Sequence, residues 1–375
     1  MSDLRDEKST DIQEDKISDI YNDVIKVEES KDYLNLNHRS EKSEINFNLS
    51  VKERHLVSDL ISKKHPFSSV TNSLKKSITL SENESKETVA KQLNEKGFYV
   101  LENRLSEDVC EKIKTELEKV PYEIRGFKKD LTGINENNIS KYKSNVLWVK
   151  DINSVLKIPE IQNIAFDDRL LNIVGEFLGS IPILTITSSW WSKNHSNHRS
   201  NLSGNAQMYH QDLDYIKFLK VFIYLNDIEE ENGPHKYVQG SAKTTEDKLG
   251  DRYKMNTRLD ESTVKNLFGE DNIVTFTGKK GTIIIEDTLG LHRGTPVIKG
   301  SRLLVQLQYT NSLYFHSNQF FDPKFLLPEV KEMKIEHPRV FLNFNSNAKI
   351  LNKEKKEKIK LSLKQKLIYG IRKFI

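Results

Sequence analysis

His210 and Asp212 stand two residues apart, just ahead of the β-rich run Leu219-Lys-Val-Phe-Ile-Tyr-Leu225, and this placement constrains the fold more than any other feature of the chain. In extended backbone, residues i and i+2 project from one face. The two side chains can therefore reach one ion from a single strand end, while a third ligand must come from a distant strand. His292 is suited to that role, and a barrel of strands would deliver it. Two imidazoles and one carboxylate can occupy one face of a six-coordinate Fe(II), leaving about three positions for a chelating cosubstrate and O2. Taken without their context, the same histidines also read as ordinary polar residues at strand ends.

The context is ordered. Gln207-Met-Tyr-His-Gln-Asp212 leads into the run at 219–225, followed by Asn226-Asp227, the turn Glu231-Asn-Gly-Pro234 and then Gln239-Gly-Ser241. Gly281-Thr-Ile-Ile-Ile-Glu-Asp287 reads as a buried strand delivering His292, and Leu303-Val-Gln-Leu-Gln-Tyr309 as the strand after it. Leu93-Asn-Glu-Lys-Gly-Phe-Tyr-Val-Leu101 reads as a helix followed by a first strand. From Glu87 to Phe315 this order resembles the phytanoyl-CoA dioxygenase family of Fe(II)/2-oxoglutarate oxygenases.

The resemblance implies a mainly β fold with flanking α-helices, a double-stranded β-helix (cupin-like jelly roll) barrel whose helices come mainly from residues 87–185. It implies that His210, Asp212 and His292 are the metal ligands and catalytic centre, with Fe(II), 2-oxoglutarate and O2 as cofactor and cosubstrates. The implied reaction is hydroxylation of a small organic molecule, coupled to decarboxylation of 2-oxoglutarate to succinate and CO2. Arg302 matches the residue that pairs with the distal carboxylate of 2-oxoglutarate, and a planar, permanently charged guanidinium suits that task. Strand alternation would put Leu304, Gln306 and Gln308 on the side of Arg302, and Lys220, Phe222 and Tyr224 along the neighbouring wall. Gln207 is counted with Lys220, Phe222 and Tyr224 among the cofactor-binding residues.

The chain departs from the family's pattern in two places: His235 follows the Asn-Gly-Pro turn where an apolar residue is common, and Gln239 stands where Pro is common. We read His235 as a loop or packing residue rather than a ligand. Halogenating relatives replace the carboxylate of the triad with Gly or Ala, so Asp212 favours hydroxylation. His195 and His198 lack Cys or carboxylate partners at ligand spacing and read as an exposed loop near the site mouth. Trp190 and Trp191 read as core or pocket wall, with one of the two facing the site.

The ends of the chain are polar. Residues 1–30 carry ten acidic and four basic side chains and are expected to be mostly disordered or loosely helical. Leu56, Leu60 and Ile61 can share one helical face, in a segment that leans on the barrel or serves as linker. Near the C-terminus, Ile359, Leu363, Leu367, Ile371 and Phe374 form one apolar stripe in a stretch (349–375) with ten basic and two acidic residues. Two readings stand: a terminal helix docked on the barrel, or a basic amphipathic helix making peripheral contact with the inner face of a membrane. These shifts divide the chain into an N-terminal extension (1–85), the oxygenase domain (86–320) and a C-terminal extension (321–375).

The partners expected are a small-molecule substrate, a lipid or glycan precursor being the guess, and no nucleic acid. The net charge is only +4, and the basic cluster lacks interleaved aromatics. One cysteine, Cys110, and no apolar run of signal or spanning length point to the cytoplasm. The oligomeric state is left open. The alternative function is a non-catalytic barrel serving as a metal- or ligand-binding scaffold at the membrane surface.

Overall fold

The computed structural model describes residues 3–30, 49–124, 131–149, 151–195, 206–250, 258–314 and 319–349. The C-terminal stripe, His198 and most of the polar stretch around it lie outside the described residues. None of the described helices is long and apolar enough to cross a membrane.

Two antiparallel sheets carry the site. Seven strands form the larger: β1 (Phe98–Val100), β2 (Glu123–Ile124), β3 (Val146–Trp148), β4 (Ile183–Lys193), β5 (Phe218–Tyr224), β8 (Ile283–Glu286) and β10 (Ser301–Thr310), in the order β1-β8-β5-β10-β4-β3-β2. The smaller has the order β7-β6-β9, from β6 (His235–Val238), β7 (Ile273–Phe276) and β9 (His292–Gly294). Isolated bridges, among them Tyr209 to Leu259 and His210 to His292, extend the smaller sheet across the site, and the described pairings form two sheets of a jelly roll rather than one closed ring.

Every residue of β5, β8 and β10 is buried, so burial alone does not say which side faces the site. Alternation does. Leu219, Val221, Ile223, Ile283, Ile285, Leu303, Val305 and Leu307 pack into the main core with the helices, whereas Phe222, Tyr224, Ile284 and Leu304 join Tyr237 and Phe276 of the smaller sheet. The strands are wetted on neither face, which is why they read as near-continuous apolar runs.

The helical layer includes α3 (Lys86–Lys96), α4 (Glu107–Glu118), α5 (Ile152–Leu156), α6 (Pro159–Ala165), α7 (Asp168–Leu178) and, late in the chain, α10 (Pro328–Glu336). In α7, Leu170, Leu171, Val174, Phe177 and Leu178 make a buried stripe at helical spacing. On the other side, α8 (Ser241–Leu249) and α9 (Glu261–Phe268) put Leu249, Val264 and Phe268 against Val238, Tyr209 and Leu291.

Two expectations for the N-terminal extension change. Asp3–Ser30 is one helix, α1, and Ile17, Ile20 and Val24 bury one stripe against α2 (Val51–Lys64) and against Ile183, Leu313, Tyr314 and Phe320. Those apolar residues are spaced three and four apart, and tertiary packing supplies the stability that so acidic a helix lacks alone. The second correction concerns α2, which begins at a capping box between Ser50 and Glu53 and turns Val57 and Ile61 inward, leaving Leu56 at 38% exposure.

Candidate metal and cosubstrate site

Three backbone contacts hold the segment 210–212 to the segment 288–292. The amides of His210 and His292 donate to each other's carbonyls at 3.0 Å, the Asp212 amide donates to Thr288 at 2.9 Å, and the Gln211 side-chain amide donates to the Leu289 carbonyl at 2.6 Å. His210 thus meets His292 although the two strands belong to distant parts of the chain. Their ring centroids are 4.3 Å apart. One ligand atom from each of His210, Asp212 and His292 lies within 4.8 Å of the other two.

The ring nitrogens are sorted by their partners. Nδ1 of His210 lies 2.9 Å from the Met208 carbonyl, and Nδ1 of His292 lies 2.9 Å from the Gly290 carbonyl. A carbonyl only accepts, so Nδ1 carries the proton in both rings and Nε2 is free to donate its lone pair. The Nε2 atoms face the Asp212 carboxylate, at 3.8 Å from Oδ1 for His210 and 3.2 Å from Oδ2 for His292. Burial, helped by His292, holds His210 well below the usual imidazole range. For His292 burial acts in the same direction, but the Asp212 carboxylate outweighs it and the pKa is raised. The Asp212 carboxyl is partly buried, which raises its pKa, and Lys220 and His292 overcome that penalty to hold it well below the usual carboxylate range. Once a metal displaces the proton that Asp212 draws onto His292, two nitrogen donors and one anionic oxygen converge on one point, a set that fits a divalent transition metal.

Arg302, at the start of β10, opens into the same cavity, of about 220 Å³. Its guanidinium is 3% exposed; it donates to the Gly233 carbonyl and, at 3.3 Å, to Ser192 Oγ, while its Nε has no partner. Among the described residues no carboxylate pairs with it. A buried cation without a counter-charge is costly unless an anion arrives, so this cradle fits a carboxylate-bearing cosubstrate. Backbone shape makes room for it: a Cβ on Gly294 would stand 2.6 Å from Arg302 Nη2, and Gly233 holds φ +75° with Thr295 backbone 2.6 Å from where its own Cβ would be.

The other expected wall residues divide. Lys220, Phe222 and Gln306 line the cavity, as do Trp190 and, unforeseen in the sequence, Trp148, its cross-strand partner. Trp191 is buried in the helical core. Tyr224 faces the same side as Phe222 but stays beneath the smaller sheet: its hydroxyl donates to the Phe276 carbonyl at 2.9 Å and accepts from the His235 amide at 3.1 Å. It does not line the cavity. Gln207 also lies off the cavity wall, 2% exposed, with neither amide atom hydrogen-bonded. Gln308 is likewise fully buried with both amide atoms unpartnered.

His235 is more than a packing residue. It lines the cavity, stacks on His292 with ring centroids 5.6 Å apart and 18° between planes, and pairs through Nε2 with Glu286 Oε2 at 2.9 Å. Glu286 has no exposure, and burial pushes its carboxyl up to about 8, while burial and the neighbouring His292 hold His235 well below the imidazole range. Both groups are therefore neutral near pH 7, with the carboxylic acid donating to the imidazole. Its position after Asn-Gly-Pro, where family members commonly carry an apolar residue, was the one signal of this in the sequence.

The chain is similar to several solved structures. HygX from Streptomyces hygroscopicus, crystallised with nickel and 2-oxoglutarate bound, is 20% identical, with 62% of this chain and 87% of that chain covered and a TM-score of 0.43. EctD from S. alaskensis, crystallised with bound Fe, is 17% identical, with 66% and 82% covered and a TM-score of 0.40. No curated protein matches. Residues 93–300, which hold every group described above as converging on the cavity except Arg302 and Gln306, match the family Phytanoyl-CoA dioxygenase (PhyH), and the chain belongs to that family of Fe(II)- and 2-oxoglutarate-dependent enzymes.

Proposed function

We propose that this enzyme hydroxylates a small organic molecule, with His210, Asp212 and His292 holding Fe(II) and Arg302 holding the distal carboxylate of 2-oxoglutarate. The observation that carries the reading is the buried Arg302 guanidinium, without a carboxylate partner among the described residues, opening into the cavity on which the three ligand atoms converge. When bound, iron and 2-oxoglutarate supply the activation of O2 and the oxidising power. The protein's share is placement. Nδ1–H bonds to Met208 and Gly290 hold the imidazoles in one tautomer, Arg302 orients the cosubstrate along the cavity, and Phe222, Trp190 and Trp148 exclude water beside the reacting centre. The Gln306 amide is the polar group placed to orient a substrate against that aromatic wall.

In this reading residues 86–320 form the catalytic unit, and the basic apolar stretch from Ile359 to Phe374 brings it to a surface where a lipid or glycan precursor resides. Succinate formation from 2-oxoglutarate in Fe(II)-loaded protein tests the core of the proposal, uncoupled turnover sufficing where the substrate is unknown. A metal-loaded protein that neither binds 2-oxoglutarate nor forms succinate would leave a scaffold role in its place. Sedimentation with anionic vesicles, compared between the full chain and one ending at Leu351, tests the surface contact separately.

A further inference from the structure

We propose that Lys220 keeps the metal's remaining coordination positions open by masking a second carboxylate, Asp214, together with one oxygen of Asp212. The inference rests on the metal assignment above. His210, Asp212 and Asp214 follow one another at intervals of two, so the chain offers not one but two aspartates beside the first imidazole. A divalent cation accepts hard carboxylate oxygens readily. A site with two imidazoles and two carboxylates would have one fewer position for a chelating cosubstrate and O2.

The structure shows what prevents this. Lys220 projects from the middle of β5 and is 7% exposed, with its ammonium 2.6 Å from Asp212 Oδ2 and 3.2 Å from Asp214 Oδ2. Asp214 stands outside the cluster formed by the three ligand residues, turned to the ammonium. Asp212 gives the same ammonium its Oδ2, while its Oδ1 stands 3.8 Å from Nε2 of His210. Other polar groups near Lys220 do not compete for its donors. Glu286, its cross-strand neighbour on β8, is paired with His235, and Gln308, its neighbour on β10, makes no hydrogen bond through its amide.

The charges also balance. A lone ammonium beside the ligand carboxylate would repel an incoming dication, but Asp214 cancels that charge while itself being held off the ion. Lysine and Asp214 thus work as a pair: each is harmful to the site alone, and together they leave Asp212 as a ligand with one oxygen free. In this arrangement Lys220 is a positioning residue.

Calorimetry with Ni(II), then with 2-oxoglutarate added to the Ni(II)-loaded protein, provides the test, with thermal unfolding as a fold control. Lys220→Met should bind Ni(II) at least as tightly as the wild type, because Asp214 and the second oxygen of Asp212 are released toward it. Its affinity for 2-oxoglutarate should fall about 10-fold, the lower end of what residues holding a metal's ligands commonly contribute. Adding Asp214→Asn to Lys220→Met should restore 2-oxoglutarate affinity, a non-additivity that an ordinary structural ion pair would not produce. Asp214→Asn alone, at a half-exposed position that folding tolerates, should weaken Ni(II) several-fold by leaving the ammonium unbalanced, and this holds the proposal to account even where Lys220→Met fails to fold. Loss of Ni(II) binding in Lys220→Met without rescue by Asp214→Asn, or wild-type affinities in all the variants, would overturn it. Failure of the wild type to bind Ni(II) and 2-oxoglutarate would instead overturn the metal assignment.

Discussion

Two buried cations face one cavity, and they are held in opposite ways. Lys220 sits between two carboxylates, whereas Arg302 is held by a backbone carbonyl and a serine hydroxyl with its Nε unpartnered. Both pay the desolvation cost of a buried charge. In Lys220 the chain's own aspartates offset that cost, so its charge is already spent inside the fold. Arg302 is left in deficit, and the deficit is what makes it a receptor for an anion from outside. A buried charge therefore marks a binding site only when the fold leaves it unanswered.

The largest break in this comparison comes from removing what lies between the two cations. His210→Ala or His292→Ala should abolish Fe(II)-dependent succinate formation and Ni(II) binding, while thermal unfolding of the metal-free protein stays cooperative. Retained turnover in either variant would show that the metal sits elsewhere. Next comes Arg302→Lys, which keeps the charge but loses the two-pronged donor; we expect the 2-oxoglutarate requirement to rise about 10-fold, with Ni(II) affinity nearly unchanged. A smaller effect of the same kind is expected from Gly294→Ala. The added methyl would meet Arg302 Nη2 at 2.6 Å, so the guanidinium must shift, and cosubstrate affinity should fall a few-fold with kcat less affected. An unchanged requirement in both variants would place the cosubstrate carboxylate away from Arg302.

The smallest effect on turnover, and a clear one on stability, is expected at Glu286, the third buried ionisable group. Burial raises its carboxyl from an ordinary 4.5 to about 8, so the folded chain keeps a proton that the unfolded chain releases. The neutral form's contribution is fully present below about pH 4.5, declines as the pH rises, and is gone above about pH 8. Urea unfolding of the metal-free protein should show this slope, and Glu286→Gln should flatten it by an amount on the order of a few kcal/mol across the window. An identical slope in the variant would mean that other groups carry it.

These contrasts also show where sequence reading works. The alternation in Phe218–Tyr224 and Ser301–Thr310 was legible because the strand period is two and one side carries polar groups at Lys220, Gln306 and Gln308. The convergence of His210, Asp212 and His292 was readable from residue chemistry, strand spacing and the ordered run around them. What alternation cannot give is depth. Tyr224 obeys the same parity as Phe222, yet the second sheet consumes its hydroxyl, and nothing local to residue 224 encodes that cover. The His235–Glu286 pair joins residues 51 positions apart on different sheets, so neither partner's neighbourhood announces the other. In α1, charge dominated the composition and hid the buried aliphatics Ile17, Ile20 and Val24, some of whose partners, such as Leu313 and Phe320, lie hundreds of residues away.

That last separation has a consequence for how the protein is made. Glu28 accepts from Arg339 at 3.0 Å, across 311 positions, and the same arginine donates to the Asn311 carbonyl at 2.7 Å. α1 is thus fastened by a residue that the ribosome adds 311 positions later. At roughly 5–20 residues per second, α1 must wait roughly 15–60 seconds for that anchor, with only α2 to cover its aliphatic stripe until the segment holding Leu313, Tyr314 and Phe320 arrives. Nascent chains arrested before Phe320 should therefore leave α1 open to proteolysis, and chains arrested well past Arg339 should protect it.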